Sequence, residues 1–286
     1  MGASSKNMKL FLKSEGTPVY DSARLQTPVL DELQEIFRYR ELLAKLVSRN
    51  IKTRYKRSVL GIAWTMLSPL MMMIVMTLVF SSIFRMNLEH YPVYLLSGLV
   101  FWNFFSQTTS SAMNELVWGG SLMTRIYMPR SIFAFTALGT GLVNIVLSLI
   151  PLLLIMLVTG APLRLSLFFL PVSILIVGMF ALGVGLFLST LGVYFTDVLE
   201  MYQIVLMAWM YFTPVIYPIE IIPASYIWVF YLNPLYYLLE VFRQPIYLGK
   251  LPDLQTLAVA SLLSSLTLIF GWWFFTRKAD EFAYRV

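Results

Sequence analysis

A chain of 286 residues, 58% of them hydrophobic, 15% aromatic and only 13% charged, has a mean hydropathy of +0.74, against about 25% charged residues in a soluble domain. Its 21 basic and 15 acidic side chains are too few to cover a water-soluble fold of this size, so an ordinary soluble enzyme is excluded and a membrane protein expected. With no cysteine and the single histidine His90 there is no disulfide or thiolate site and little to hold a metal, and of the +6 net charge most sits at the front, where 12 of the 21 Lys and Arg precede residue 59.

Residues 1–27 are polar and without period, and read as a flexible tail rather than a signal peptide, because no apolar core with a cleavage site is present. Residues 28–58 form the next unit. Leu33, Ile36, Phe37, Leu43, Leu46, Val47, Ile51 and Tyr55 recur at steps of three and four, while Arg38, Arg40, Lys45, Arg49, Lys52, Arg54, Lys56 and Arg57 fill the rest of the arc. This pattern predicts an amphipathic helix lying on the membrane surface, with Thr27 and Pro28 as its cap and first turn. Anchoring to lipid would suffice to explain it; docking a cytoplasmic partner is the sharper alternative.

Residues 59–286 carry six apolar runs long enough to cross the bilayer, at 59–84, 93–113, 131–159, 165–192, 201–219 and 254–276. With the N-terminus inside, the cytoplasmic pieces hold 17 Lys and Arg and the external ones four, so both termini are expected in the cytoplasm. Between the fifth and sixth spans, residues 220–253 are apolar enough to suggest a seventh. Asn233-Pro234 breaks that run, Glu240 and Arg243 charge it, and Pro223, Pro245 and Pro252 punctuate it. Two re-entrant half-helices dipping from the outside fit better. The loop 114–130, with Gly119-Gly120, Arg125, Pro129 and Arg130, predicts a short surface helix. The expected fold is thus an all-α integral membrane protein.

None of the six runs contains Asp, Glu, Lys, Arg or His, which disfavours an ion-coupled carrier. No G-x-x-x-x-G-K-[ST] loop is present, so ATP hydrolysis is not expected of this chain. The few loop carboxylates form no pair by spacing, so a glycan-processing enzyme is not expected either. What the spans do offer is aromatic and soft: Phe101, Trp102, Phe104 and Phe105 in the second, Met207, Trp209, Met210, Tyr211 and Phe212 in the fifth. Interfacial belt and packing are the ordinary explanation. The other is a conduit in which sugar C–H faces stack on rings while water satisfies the hydroxyls.

The segment RNIKTRYKRSVLGIAWTMLSPL (49–70), followed by YMPRSIF from Tyr127, FTPVIYP from Phe212 and NPLYYLLEVFRQPI from Asn233, resembles the ABC-2 type permeases that export cell-surface polysaccharides such as O-antigen and teichoic acid. Asn50 and Thr196-Asp197 depart from that pattern, which often has Asp and Arg-Asp there. The resemblance implies a homodimer in the bacterial plasma (inner) membrane, bound to two copies of a separate ATPase subunit. That subunit would hold ATP and magnesium; no cofactor is expected on this chain and no nucleic acid as partner. The cargo implied is a glycan linked to undecaprenyl pyrophosphate, with a drug or lipid as the nearer rival cargo. By resemblance, Lys52, Arg54, Arg57, Leu60 and Gly61 would mark the headgroup entrance. Trp102, Phe105, Met207, Tyr211 and Phe212 would line the conduit. Arg38, Arg40, Glu115, Arg125 and Arg130 would couple to the ATPase subunits, and the half-helices would gate the outside.

Overall fold

The computed structural model describes residues 35–80, 89–119, 128–279 and Phe282. The expected tail, the Thr27-Pro28 helix start, and Arg125 with most of its loop lie outside the described residues. Within them the chain is helical, without a strand. The helices are α1 (Arg40–Arg54), α2 (Ala63–Leu78), α3 (Tyr91–Trp118), α4 (Ile132–Thr159), α5 (Leu170–Tyr194), α6 (Asp197–Tyr211), α7 (Ile227–Tyr231), α8 (Pro234–Arg243) and α9 (Leu254–Lys278).

Three helices are long and apolar enough to cross a membrane by length and composition: Ile132–Thr159, Leu165–Tyr194 (α5 with the short turn before it) and Leu254–Lys278. These match the third, fourth and sixth predicted spans. α2 is apolar but has only 16 residues, and α3, at 28 residues, is long enough but diluted by Asn103, Gln107 and a Thr/Ser run.

α3, α4, α5 and α9 form the packed centre. α5 and α9 cross where Gly183 meets Gly271: a Cβ on Gly271 would lie 2.1 Å from the Gly183 carbonyl oxygen, a backbone approach only glycine permits. Phe105 fills the space between α3, α5 and α6, with ring centroids 5.8 Å from Phe180 and 5.6 Å from Trp209. α1 docks on α4, where Val47 occupies the space a Cβ on Gly139 would need.

Three predicted boundaries differ. The first apolar run starts at Val59, yet α2 begins only at Ala63. Arg57 and Gly61 have φ of 66° and 51°, and the Gly61 N–H donates to Ser58 Oγ, so residues 55–62 make the turn that redirects the chain from α1 into the bundle. The fifth run, 201–219, is not one helix. α6 occupies 197–211, and Pro214 and Pro218 take residues 212–218 out of helical geometry. Finally, 114–118 belong to the last turns of α3, while the surface helix expected after Gly119-Gly120 lies outside the described residues. The segment 220–253 does consist of short helices, with a break at Asn233 whose side chain caps α8 by accepting from the Leu235 N–H (3.0 Å).

Candidate functional site

α2 and α6 both pack on α3, and the surface of α3 between them is polar. Along α3 the residues Asn103, Gln107, Ser110 and Ser111 recur at helical spacing on one face, about 18 Å from Asn103 to Glu115. Two neighbouring cavities follow this face. The first, of about 590 Å³, lies between α2, α3 and α4, with Thr65, Ser68, Asn103, Gln107, Asn144 and Ser148 among its walls and Tyr55 and Trp64 at its edge. The second, of about 510 Å³, runs toward the α1 end past Ser106, Ser110, Thr140, Gln203 and Glu115. Arg54 and Gln107 line both, and Arg54 Nη1 donates to Gln107 Oε1 (3.2 Å).

Hydrogen bonds close parts of this surface. Tyr202 donates to Thr109 Oγ1 (2.7 Å) and Gln203 Nε2 to Ser110 Oγ (3.3 Å), fixing α6 on α3. Tyr55 and Thr65 share a hydroxyl contact that ties the end of α1 to α2. Asn50 Nδ2 donates to Glu115 Oε1 (2.8 Å). Burial raises the Glu115 carboxyl to about 7, against the opposing pulls of Arg49 and the Asn50 bond. Asn144 is only 9% exposed, and among the described residues neither it nor Asn103 has a side-chain hydrogen-bond partner.

The predicted entrance residues separate. Arg54 faces the polar cavities, whereas Lys52 lies with Arg40 on a mostly apolar groove along α1, walled by Leu43, Val47, Ile51 and Ile62. Arg57, Leu60 and Gly61 sit on the exposed turn before α2. Of the expected conduit residues, Trp102 and Phe105 are buried inside the chain's own core, while Met207, Tyr211 and Phe212 are exposed on α6 and its end. Of the expected coupling residues, Arg38 and Arg40 are exposed, Glu115 is bound to α1 through Asn50, and Arg130 donates to the Ala279 carbonyl at the end of α9.

At the other end of the bundle a single guanidinium organises the turn 212–217. Arg243, 2% exposed, donates from Nη1 to Tyr94 Oη and to the Pro214 carbonyl (both 2.8 Å) and from Nη2 to the Val215 carbonyl (2.9 Å). Its Cζ lies 3.8 Å from the Tyr94 ring centroid. Asn233 adds a second clamp, with Nδ2 donating to the Phe212 carbonyl (2.8 Å) and Oδ1 accepting from Trp209 Nε1 (2.9 Å).

The family described as ABC-2 type transporter matches residues 41–247. The chain belongs to that family. As an ABC-2 protein it is 30% identical over 253 residues to the O-antigen export system permease protein RfbA of Myxococcus xanthus, covering 88% of this chain and 97% of that one. An RfbA of Klebsiella pneumoniae is 22% identical over 85% of this chain and 94% of its own. The polysialic acid transport protein KpsM of Escherichia coli is 25% identical over 79% and 89%. The matched region spans α1 to α8, and so includes both the polar cavities and the Arg243 clamp.

Sequence reasoning passed over Asn103, Gln107, Asn144 and Ser148. Their signal was spacing: Asn103 with Gln107, and Asn144 with Ser148, are each four apart in otherwise apolar runs, one turn on one face.

Proposed function

We infer that this chain is the membrane permease subunit of an ABC exporter that carries lipid-linked cell-surface polysaccharide, of the O-antigen or teichoic acid type, across the bacterial plasma membrane. The observation that carries this reading is the polar seam between α2 and α6, from Arg54 and Gln107 to Ser110 and Gln203, flanked by exposed apolar side chains of both helices. Such a seam is expensive against lipid tails. Two copies of the chain meeting across it would remove it from lipid and enclose a polar passage.

In this reading Met207, Tyr211 and Phe212 line the passage, where their soft and aromatic faces accept sugar rings. Trp102 and Phe105 support that wall from behind. Six spans follow the runs 59–84 to 254–276, the first beginning at α2 and the fifth made of α6 with the turn after it, with both termini in the cytoplasm and α1 on the inner surface. The pyrophosphate head arrives at Arg54, a fork suited to phosphate oxygens, and the half-helices after Pro223 close the outer end. Since the chain lacks a phosphate-binding loop, two copies of an ATPase subunit holding ATP and magnesium supply the energy. Their motion reaches the bundle through α1 and the Asn50–Glu115 contact.

Native mass spectrometry of the chain purified in mild detergent from its own host tests the assembly. Two copies bound to two copies of a nucleotide-binding protein is the expected mass. A chain recovered alone, under conditions that keep a known ABC exporter intact, overturns the reading and makes ion dependence the next measurement.

A further inference from the structure

The larger cavity carries more than a passage requires. It lies behind α2, within one protomer, rather than on the exposed face of α6. Four of its polar side chains, Asn103, Gln107, Asn144 and Ser148, come from α3 and α4, and three of them are amides. Ser148 satisfies its hydroxyl on the Asn144 carbonyl (2.9 Å) and Gln107 accepts from Arg54. Asn144 is nine-tenths buried as a residue, yet its amide faces the cavity, as does that of the half-buried Asn103, and neither bonds another described side chain. Amides at this depth cost free energy unless water or a ligand in the cavity pairs with them. The two amides are thus open to a partner that is not part of the chain.

The lining says what kind. It offers amide donors and acceptors with hydroxyls, and Arg54 at the mouth is its one charged side chain. Tyr55 and Trp64 give it aromatic edges, and its volume of about 590 Å³ lies within the range of small-ligand sites. A divalent cation would call for carboxylates, which the lining lacks, and an acyl chain would leave the amides unpaired. A ring bearing several hydroxyls satisfies both, and an anionic group attached to it would reach Arg54. We propose that this cavity is a subsite for the sugar residue next to the pyrophosphate of the lipid-linked substrate, Asn103 and Asn144 bonding its hydroxyls while Arg54 holds the phosphate. This rests on the exporter reading above.

The test compares two probes on the purified complex in nanodiscs: undecaprenyl pyrophosphate bare, and the same lipid bearing one hexose or N-acetylhexosamine. Binding is read by quenching of tryptophan fluorescence. The wild type is expected to bind a sugar-bearing lipid about tenfold or more tighter than the bare one, as two paired amides allow. Asn144→Leu and Asn103→Leu should each bring that ratio toward one. Equal affinity of the wild type for both lipids, or a ratio retained in both variants, overturns the subsite and leaves the exporter reading standing. If neither lipid binds the wild type, the exporter reading itself falls and the subsite with it. Should Asn144→Leu fail to assemble, the wild-type ratio and Asn103→Leu, at a less buried position, still decide.

Discussion

Glu115 illustrates how a single position links two helices. It sits on the last turns of α3, beyond the predicted span 93–113, and its carboxyl accepts from Asn50 of α1. Burial holds its proton on, raising the carboxyl from 4.5 to about 7. The sign follows from linkage: the folded state binds a proton that the unfolded state releases, so this contribution to stability is full below pH 4.5 and is lost as pH rises through about 7. Glu115→Gln keeps an oxygen for Asn50 and removes the charge. The variant should melt like wild type at pH 4.5 and at a higher temperature at pH 8, the gain being at most about 3 kcal/mol. Thermal unfolding in detergent at the two pH values measures it; equal melting at pH 8 would show that Glu115 is solvated. An ionised Glu115 strengthens the Asn50 bond at a desolvation cost, so the α1–α3 contact is pH-sensitive near neutrality.

Among the elements, the turn 212–217 is held by what lies across from it rather than by its own sequence. Pro214 and the adjoining Pro218 forbid a helix, and its carbonyls at Pro214, Val215, Ile216 and Tyr217 accept from Arg243, Tyr91 and Tyr94. Gly98 leaves the room: a Cβ there would stand 2.5 Å from Arg243 Nη2 and 2.6 Å from the Val215 carbonyl. Arg243→Met fills similar volume but strands those acceptors, and should lower stability by about 3 kcal/mol or more, since bonds to a charged donor are worth about 1.5 to 3 kcal/mol each. Tyr247→Phe, which removes one more exposed bond to the Glu89 carbonyl, should shift melting little. If the two variants melt alike, the clamp is not what holds the turn.

This arrangement also explains what the sequence disclosed and what it did not. Long uniform runs such as 131–159 and 165–192 were legible to within two residues, because hydropathy and length alone decide them. The break at Asn233 was legible from Asn-Pro. The fifth run was not, because its hydropathy continues through Pro214 while the helix stops at Tyr211; apolarity reports burial and not backbone conformation. The start of α2 was blurred likewise by Val59, Leu60 and Ile62, which are apolar yet exposed in a turn. Arg243 was legible as a charge that breaks a span, but its partners come from α3 and the 212–217 turn, separations no local pattern reports. Trp102 and Phe105 show the converse limit: aromatic content names candidates for a lining, but only packing separates rings that face inward from rings that face out.

For the whole molecule, the proposed two-copy assembly turns on which exposed apolar surface faces lipid and which would face a second copy. Composition does not separate them. Ile204 and Met207 of α6 are 70% and 64% exposed, and Ile269 and Leu262 of α9 are 67% and 60% exposed. The difference lies in the neighbours. α6 borders the polar seam of Gln203, Ser110 and Gln107, whereas the α9 residues lie in a stretch with no charged or amide side chain from Thr256 to Thr276. Lipid can cover the second surface at no cost; the first is cheapest where another polar surface or water meets it. The native chain has no cysteine, so each introduced thiol is the one reactive thiol per copy. Ile204→Cys and Met207→Cys in membranes, treated with a short bis-maleimide, should give a covalent dimer on denaturing gels, and Leu262→Cys and Ile269→Cys should remain monomeric. All four replace exposed apolar side chains, so a folding defect would not mimic the pattern. Cross-linking through α9 but not α6 would put the partner on the other face, leave the seam open to lipid, and remove the enclosed passage on which the proposed export mechanism depends.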